Sequence, residues 1–199
     1  MLVSVRRGVY PGSFNPLTIA HLAIAEAARD QAGLDRIELV VSRVALAKET
    51  VERPLLEHRV EVLQRAAATR PWLGVEVTDT QLLADIADGY SALVLGADKW
   101  AQVRDPSFYG GSVTDRDAAL ARLPQLVVVP RPGYAVPNHA IAVSLSADLA
   151  EVSSTGARAG RRDWLAPEAA RLDAETGAWS DLERYERLIA AGPAGRAGR

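Results

Sequence analysis

Cysteine is absent from the 199 residues. Its absence rules out disulfide frameworks, thiolate metal sites and cysteine nucleophiles together, and it fits a reducing compartment, so the expected location is cytoplasmic. An excess of either charge is also missing: 23 Lys and Arg stand against 25 Asp and Glu, a formal net of -2. No basic surface is therefore available for a phosphate backbone, and nucleic acid is not an expected partner. No apolar run approaches the roughly 20 residues of a membrane span, so no membrane partner is expected either. The opening Met1-Leu-Val-Ser-Val-Arg-Arg places its basic pair after the apolar residues, the reverse of a secretory signal. No internal repeat is visible.

Apolar residues are plentiful, at 48% of the chain, which is enough for a sizeable core at this length. Short β-branched runs alternate with helical patterns. Candidate strands are Arg7 to Tyr10, Ile37 to Ser42, Gly74 to Thr78, Ala92 to Leu95, Leu126 to Val129 and Ala140 to Val143. Ile19 to Gln31 is alanine-rich, and Leu56, Val60, Leu63 and Ala67 recur at helical spacing, so both segments read as crossover helices. Asp115 to Leu123 reads as a further helix with Ser112 or Thr114 to cap it and Pro124 to stop it. This alternation predicts an α/β fold with a doubly wound, mostly parallel sheet. From about residue 153 the pattern turns helical, with polar stretches from Pro167 and Asp181, and predicts a C-terminal addition to a single domain spanning 1–189. Residues 190–199 lack periodicity and read as a disordered tail.

The most informative segment is Gly8-Val-Tyr-Pro-Gly-Ser-Phe-Asn-Pro-Leu-Thr-Ile-Ala-His-Leu. A strand ends at Tyr10, Gly12 permits a tight turn, Pro16 fixes the exit, and a helix opens near Thr18 or Ile19. Free N–H groups and a helix dipole at such a turn favour an anion. Thr18 and His21 lie three apart, so both share the first helical turn and face one phosphate. Neither a Gly-Lys-Ser/Thr loop nor a Gly-x-Gly-x-x-Gly turn is present.

The segment resembles the signature of the nucleotidylyltransferase superfamily, a Gly-Ser/Thr-Phe-Asp/Asn-Pro turn followed by a His/Thr-x-x-His pair, and it is most similar to that of nicotinate and nicotinamide mononucleotide adenylyltransferases. Gly12, Ser13, Phe14, Asn15, Pro16, Thr18 and His21 match, and Glu26 follows one turn later. Three further segments match in order: Lys48 after the second strand, Gly96-Ala-Asp-Lys-Trp after the fourth, and Val152-Ser-Ser-Thr-Gly-Ala-Arg158.

The resemblance implies a Rossmann-like enzyme that moves AMP from ATP onto a mononucleotide and releases pyrophosphate, in NAD synthesis. His21, Thr18 and Arg158 are then the residues expected to carry the transfer. Gly12, Ser13, Phe14, His21, Gly96, Asp98, Ser153, Ser154, Thr155 and Arg158 are expected at ATP, and Lys48 and Trp100 at the acceptor. Mg2+ enters through the ATP phosphates, with no metal cage of protein ligands. The partners are ATP and a small phosphorylated acceptor, and self-association into a homo-oligomer is compatible with this reading. Phosphopantetheine as acceptor, cytidylyl transfer, and a nucleotide sensor without turnover are the rival readings. No Ser-Tyr-Thr-x-x-Thr-Leu segment precedes the fourth strand; Gly89-Tyr90-Ser91 stands there, and the Gly-rich loop Phe108 to Val113 is available to the acceptor instead. His58 is expected to be solvated on a helix, and His139 sits in a loop.

Overall fold

Runs such as Leu39-Val40-Val41 and Leu126-Val127-Val128-Val129 bury side chains on both faces, which requires a sheet covered on both sides. The computed structural model describes residues 5–43 and 53–192, and it shows that sheet. Strands β1 (Arg7–Pro11), β2 (Arg36–Ser42), β3 (Leu73–Thr78), β4 (Ala92–Gly96), β5 (Gln125–Val129) and β6 (Ile141–Ala142) run parallel in the order β3-β2-β1-β4-β5-β6. The order reverses beside β1, which pairs with β2 on one side and β4 on the other. In a doubly wound sheet that switch point is where a crevice opens outside the carboxyl ends of the strands.

Alternate residues of each strand enter separate cores, as the period of two demands. Ile37, Leu39, Val41, Val94 and Val127 pack against α1 (Ile19–Gln31), α2 (Leu56–Ala68), α7 (Pro167–Thr176) and α8 (Leu182–Ala190) through Ile24, Leu63, Leu172 and Tyr185. Val9, Val40, Leu93, Leu95 and Val128 pack on the other side with α3 (Leu83–Ile86) and α4 (Ala97–Val103) through Ile86, Trp100 and Val103.

The helical addition is present as α6 (Ser154–Arg158), α7 and α8. The last of these includes Ala190, the first residue of the expected tail, whereas 193–199 lie outside the described residues. Helix α5 is Val113–Ala121, capped by Ser112, two residues earlier at each end than the apolar pattern suggested. Strand β6 has only two residues where four were expected. Among the described residues no helix is long and apolar enough to cross a membrane.

Candidate active site

After β1 the chain turns sharply. Gly12 donates its N–H to the Val40 carbonyl at 3.0 Å, and a Cβ at this position would stand 3.0 Å from the Phe14 ring, so any side chain here would press that ring out of place. Phe14 takes the left-handed conformation at φ 43°, unusual for a bulky residue. Its ring is buried edge-on between Tyr10 (5.5 Å) and His21 (5.2 Å). Among the described residues, no acceptor of the chain takes the N–H of Ser13 or of Phe14. Two neighbouring free donors at the carboxyl edge of a sheet form a nest for an anion.

Thr18 caps α1 and closes a box with His21. The His21 N–H donates to Thr18 Oγ1 at 3.3 Å, the Thr18 N–H donates to His21 Nδ1 at 3.0 Å, and Thr18 Oγ1 lies 2.9 Å from the same ring nitrogen. A ring nitrogen that accepts a backbone N–H carries no hydrogen, so the neutral ring bears its proton on Nε2, on the side away from Thr18. Burial, aided by the positive charge of Arg131, lowers the His21 pKa to about 4. The imidazole is therefore a neutral donor at physiological pH. Thr18 itself is buried at 1% exposure with its hydroxyl engaged. It orients His21, whereas the sequence pattern suggested that both side chains face the same phosphate.

Two more turns meet this one. Gly96 caps α4, and a Cβ there would displace the Asp98 carboxylate from its present position. Asp98 stands 4.0 Å from Arg131 Nε, in the loop after β5. Asp98 and Arg131 also act on the buried Tyr10 hydroxyl, whose pKa is raised chiefly by burial. Arg131 follows its strand directly at the same sheet edge; strand order alone points to it, although no motif does.

The C-terminal addition grips the turn from behind. Ser153 caps α6, accepting from Gly156 N–H at 3.1 Å, and the Ser154 hydroxyl donates to the Pro16 carbonyl at 2.8 Å. Arg158 donates one guanidinium nitrogen to the Asn15 carbonyl and the other to Thr155 Oγ1 at 3.4 Å. Asn15 is buried and accepts from the Trp179 indole N–H at 2.7 Å. Arg59 of α2 donates to the Ser13 carbonyl at 2.8 Å. The expectation for His58 is corrected: it is buried, with Nδ1 2.6 Å from the Tyr185 hydroxyl, which accepts from Leu55 N–H. An apolar face of α8 had to be covered, and α2 supplies the cover.

The remaining expected residues divide. Gly12, Ser13, Phe14, His21, Ser153, Ser154, Thr155 and Arg158 gather around the turn, with Gly96 and Asp98 at the adjoining strand end. Lys48 lies outside the described residues. Trp100 is buried at 8% exposure, edge-on to His139 and beneath Arg104. The loop beyond it forms a 3₁₀ turn at Pro106–Tyr109. Phe108 and Tyr109 there share a hollow of about 90 Å³ with Leu82, Leu83 and Val103, and Gln81 and Gln102 supply its polar lining. Sequence reasoning missed Arg131, Trp179 and Arg59. Among the described residues no three His, Asp or Glu side chains gather as a metal cage.

Residues 9–160 match the family model described as cytidylyltransferase-like. A probable nicotinate-nucleotide adenylyltransferase of Salinibacter ruber is 30% identical over 192 residues, 85% of this chain and 94% of the relative. Another, of Gloeobacter violaceus, is 32% identical, covering 82% of this chain and 90% of the relative. The solved structure of the Plasmodium falciparum nicotinic acid mononucleotide adenylyltransferase complexed with NaAD superposes on the chain with a TM-score of 0.60. It shares 14% identity and covers 86% of this chain and 96% of its own, a likeness of fold.

Proposed function

The chain belongs to the cytidylyltransferase-like family, and on that premise we propose that it is an adenylyltransferase that moves AMP from ATP onto nicotinate or nicotinamide mononucleotide. The observation that carries the reading is the neutral His21, fixed through Nδ1, beside the amides of Ser13 and Phe14, which have no acceptor among the described residues.

The acceptor phosphate oxygen attacks the α-phosphorus in line, the bond to the bridging oxygen breaks, and pyrophosphate departs with the electron pair. The attacking oxygen is already anionic and pyrophosphate leaves as a stable anion, so no protein group needs to take or give a proton. What the chain must supply is alignment and donors aimed at the α-phosphate as its charge redistributes. His21 Nε2–H and the two amides are such donors. A neutral imidazole suits the task because it donates without a proton to lose at neutral pH.

Arg158, Ser153 and Thr155 hold the β and γ phosphates, with the planar guanidinium suited to two oxygens. Arg131 adds positive charge at the same edge. Magnesium, when bound, neutralises phosphate charge. Asp98 is the carboxylate at this strand end and is shared with Arg131, so the donor set fits a metal carried by the nucleotide. Lys48 is assigned to the acceptor phosphate, and the hollow beside Phe108 and Tyr109 to the acceptor ring. Trp100, being buried, backs that region.

Pyrophosphate release from ATP tests the reading, with nicotinate mononucleotide, nicotinamide mononucleotide and phosphopantetheine offered in turn. Turnover with a mononucleotide is expected. Among the described residues no cationic side chain lines the hollow, so the two mononucleotides should differ by less than about a hundredfold in kcat/KM. Turnover with phosphopantetheine alone, or with none of the three, overturns the assignment.

A further inference from the structure

We propose that Arg59, on α2, is a positioning residue for the transfer: it holds the Ser13 carbonyl so that the Phe14 amide presents its hydrogen to the nucleotide's phosphates. The inference rests on reading the Gly12 to His21 turn as the ATP site. Four observations carry it.

Arg59 is 6% exposed, yet it reaches across 46 residues of sequence to donate to Ser13 O at 2.8 Å. The Ser13–Phe14 peptide is planar, so its carbonyl and its N–H point in opposite directions. Anchoring the carbonyl on α2 therefore turns the Phe14 N–H away from α2, and no other acceptor among the described residues takes that hydrogen. Phe14 itself sits in the left-handed region at φ 43°, a state that persists only when its surroundings impose it. The carbonyls on either side of Phe14, those of Ser13 and Asn15, are held by Arg59 and Arg158 respectively. Arg59 thus fixes the peptide plane that enters the strained residue, and Arg158 fixes the Asn15–Pro16 plane one residue beyond it.

The fourth observation concerns what the arrangement gives up. Arg59 Nε is buried without a hydrogen-bond partner among the described residues. A buried cation that is incompletely paired is a poor way to stabilise a fold, and an apolar side chain of similar length commonly serves as well. The return from Arg59 lies in the geometry of the turn.

The test compares Arg59→Met, which removes the donor, with Arg59→Lys, which keeps one within reach of the carbonyl. ATP affinity is measured by calorimetry without any acceptor, and kcat separately. Arg59→Met should weaken ATP binding about tenfold and lower kcat by about another tenfold, because the amide meets the phosphate in the ground state and meets it more strongly as charge redistributes in the transition state. Its melting temperature should stay within about 3 °C of the parent. Arg59→Lys should restore both kinetic and binding values to within about threefold. Arg59→Gln, too short to reach Ser13 but polar, should repeat the loss of affinity if the methionine variant does not fold. ATP affinity unchanged within about twofold in the methionine and glutamine variants overturns the proposal, as does a large fall in melting temperature with affinity intact. A parent protein that binds no ATP overturns instead the reading of the site on which the proposal stands.

Discussion

Replacing Thr18 by valine keeps shape and volume while deleting one hydroxyl, and it separates two roles for this residue. Thr18 Oγ1 accepts from the His21 N–H at 3.3 Å and meets His21 Nδ1 at 2.9 Å, in a site only 1% exposed. Losing the cap and the ring contact should cost about 2 kcal/mol in stability, a sum of two interactions worth about 1 kcal/mol each. For a chain of this length that lowers the melting temperature by about 4–8 °C. The ring keeps its second anchor, the Thr18 N–H at 3.0 Å. The imidazole is therefore loosened rather than released, and kcat should fall about tenfold, against the two to three orders of magnitude expected for His21→Ala. Since the hydroxyl is turned inward, KM for ATP should barely move. Thr18→Ser, which retains the oxygen, should recover most of both losses. Differential scanning fluorimetry and steady-state pyrophosphate release give the two numbers. Because Thr18 acts through His21, the double variant should be no slower than His21→Ala alone. A melting temperature within 1 °C of the parent, accompanied by a large rise in KM for ATP, would refute the reasoning and place the hydroxyl on a phosphate.

Three further outcomes are expected. The native His21 pKa of about 4 lies below its ordinary 6.5, so the unfolded chain binds the extra proton between those values. Stability is full above about pH 6.5 and declines as pH falls toward 4. The limit is about 3 kcal/mol, reduced by the partial exposure of the ring, and it is seen as a urea midpoint that falls more steeply with acid in the parent than in His21→Gln. Equal slopes would show that His21 is not the group responsible. Arg158→Ala should weaken ATP binding by about ten- to a hundredfold in calorimetry, the range for a charged hydrogen bond to phosphate, and unchanged affinity points the guanidinium elsewhere. Trp179→Phe leaves the buried Asn15 Oδ1 without its 2.7 Å donor and should lower stability by about 1–3 kcal/mol in urea titration; an unchanged midpoint means the amide finds another partner.

The parallel sheet was legible in the sequence because its strands are buried on both faces, so that Leu39 to Val41 and Leu126 to Val129 read as continuous apolar runs. The turn was legible for a different reason: glycine, proline and a Thr-x-x-His pair each impose a local geometry that short-range spacing expresses. Arg59, Trp179 and Tyr185 were not legible, since each meets its partner across more than 40 residues and its local pattern is an ordinary helix or loop. His58 illustrates the limit. Its helical neighbours predicted a solvated face, whereas its partner, Tyr185 of α8, stands 127 residues away in the sequence. The inward turn of Thr18 was equally hidden, because a capping box and a phosphate clamp call for the same two residues at the same spacing.

The wiring of the helical addition onto the Gly12 to His21 turn also fixes when, during synthesis, the protein becomes competent. The ribosome completes the turn among the first two dozen residues and Arg59 soon after, yet the groups that hold the Asn15 and Pro16 carbonyls and the buried Asn15 amide come more than 130 residues later: Ser154, Arg158 and then Trp179. Domains fold from the N-terminus as they emerge, but here the sheet can form around β1, β2 and β4 while the turn still lacks its backing. A nascent chain would therefore carry the sheet with an incompletely held turn until residue 179 has been added.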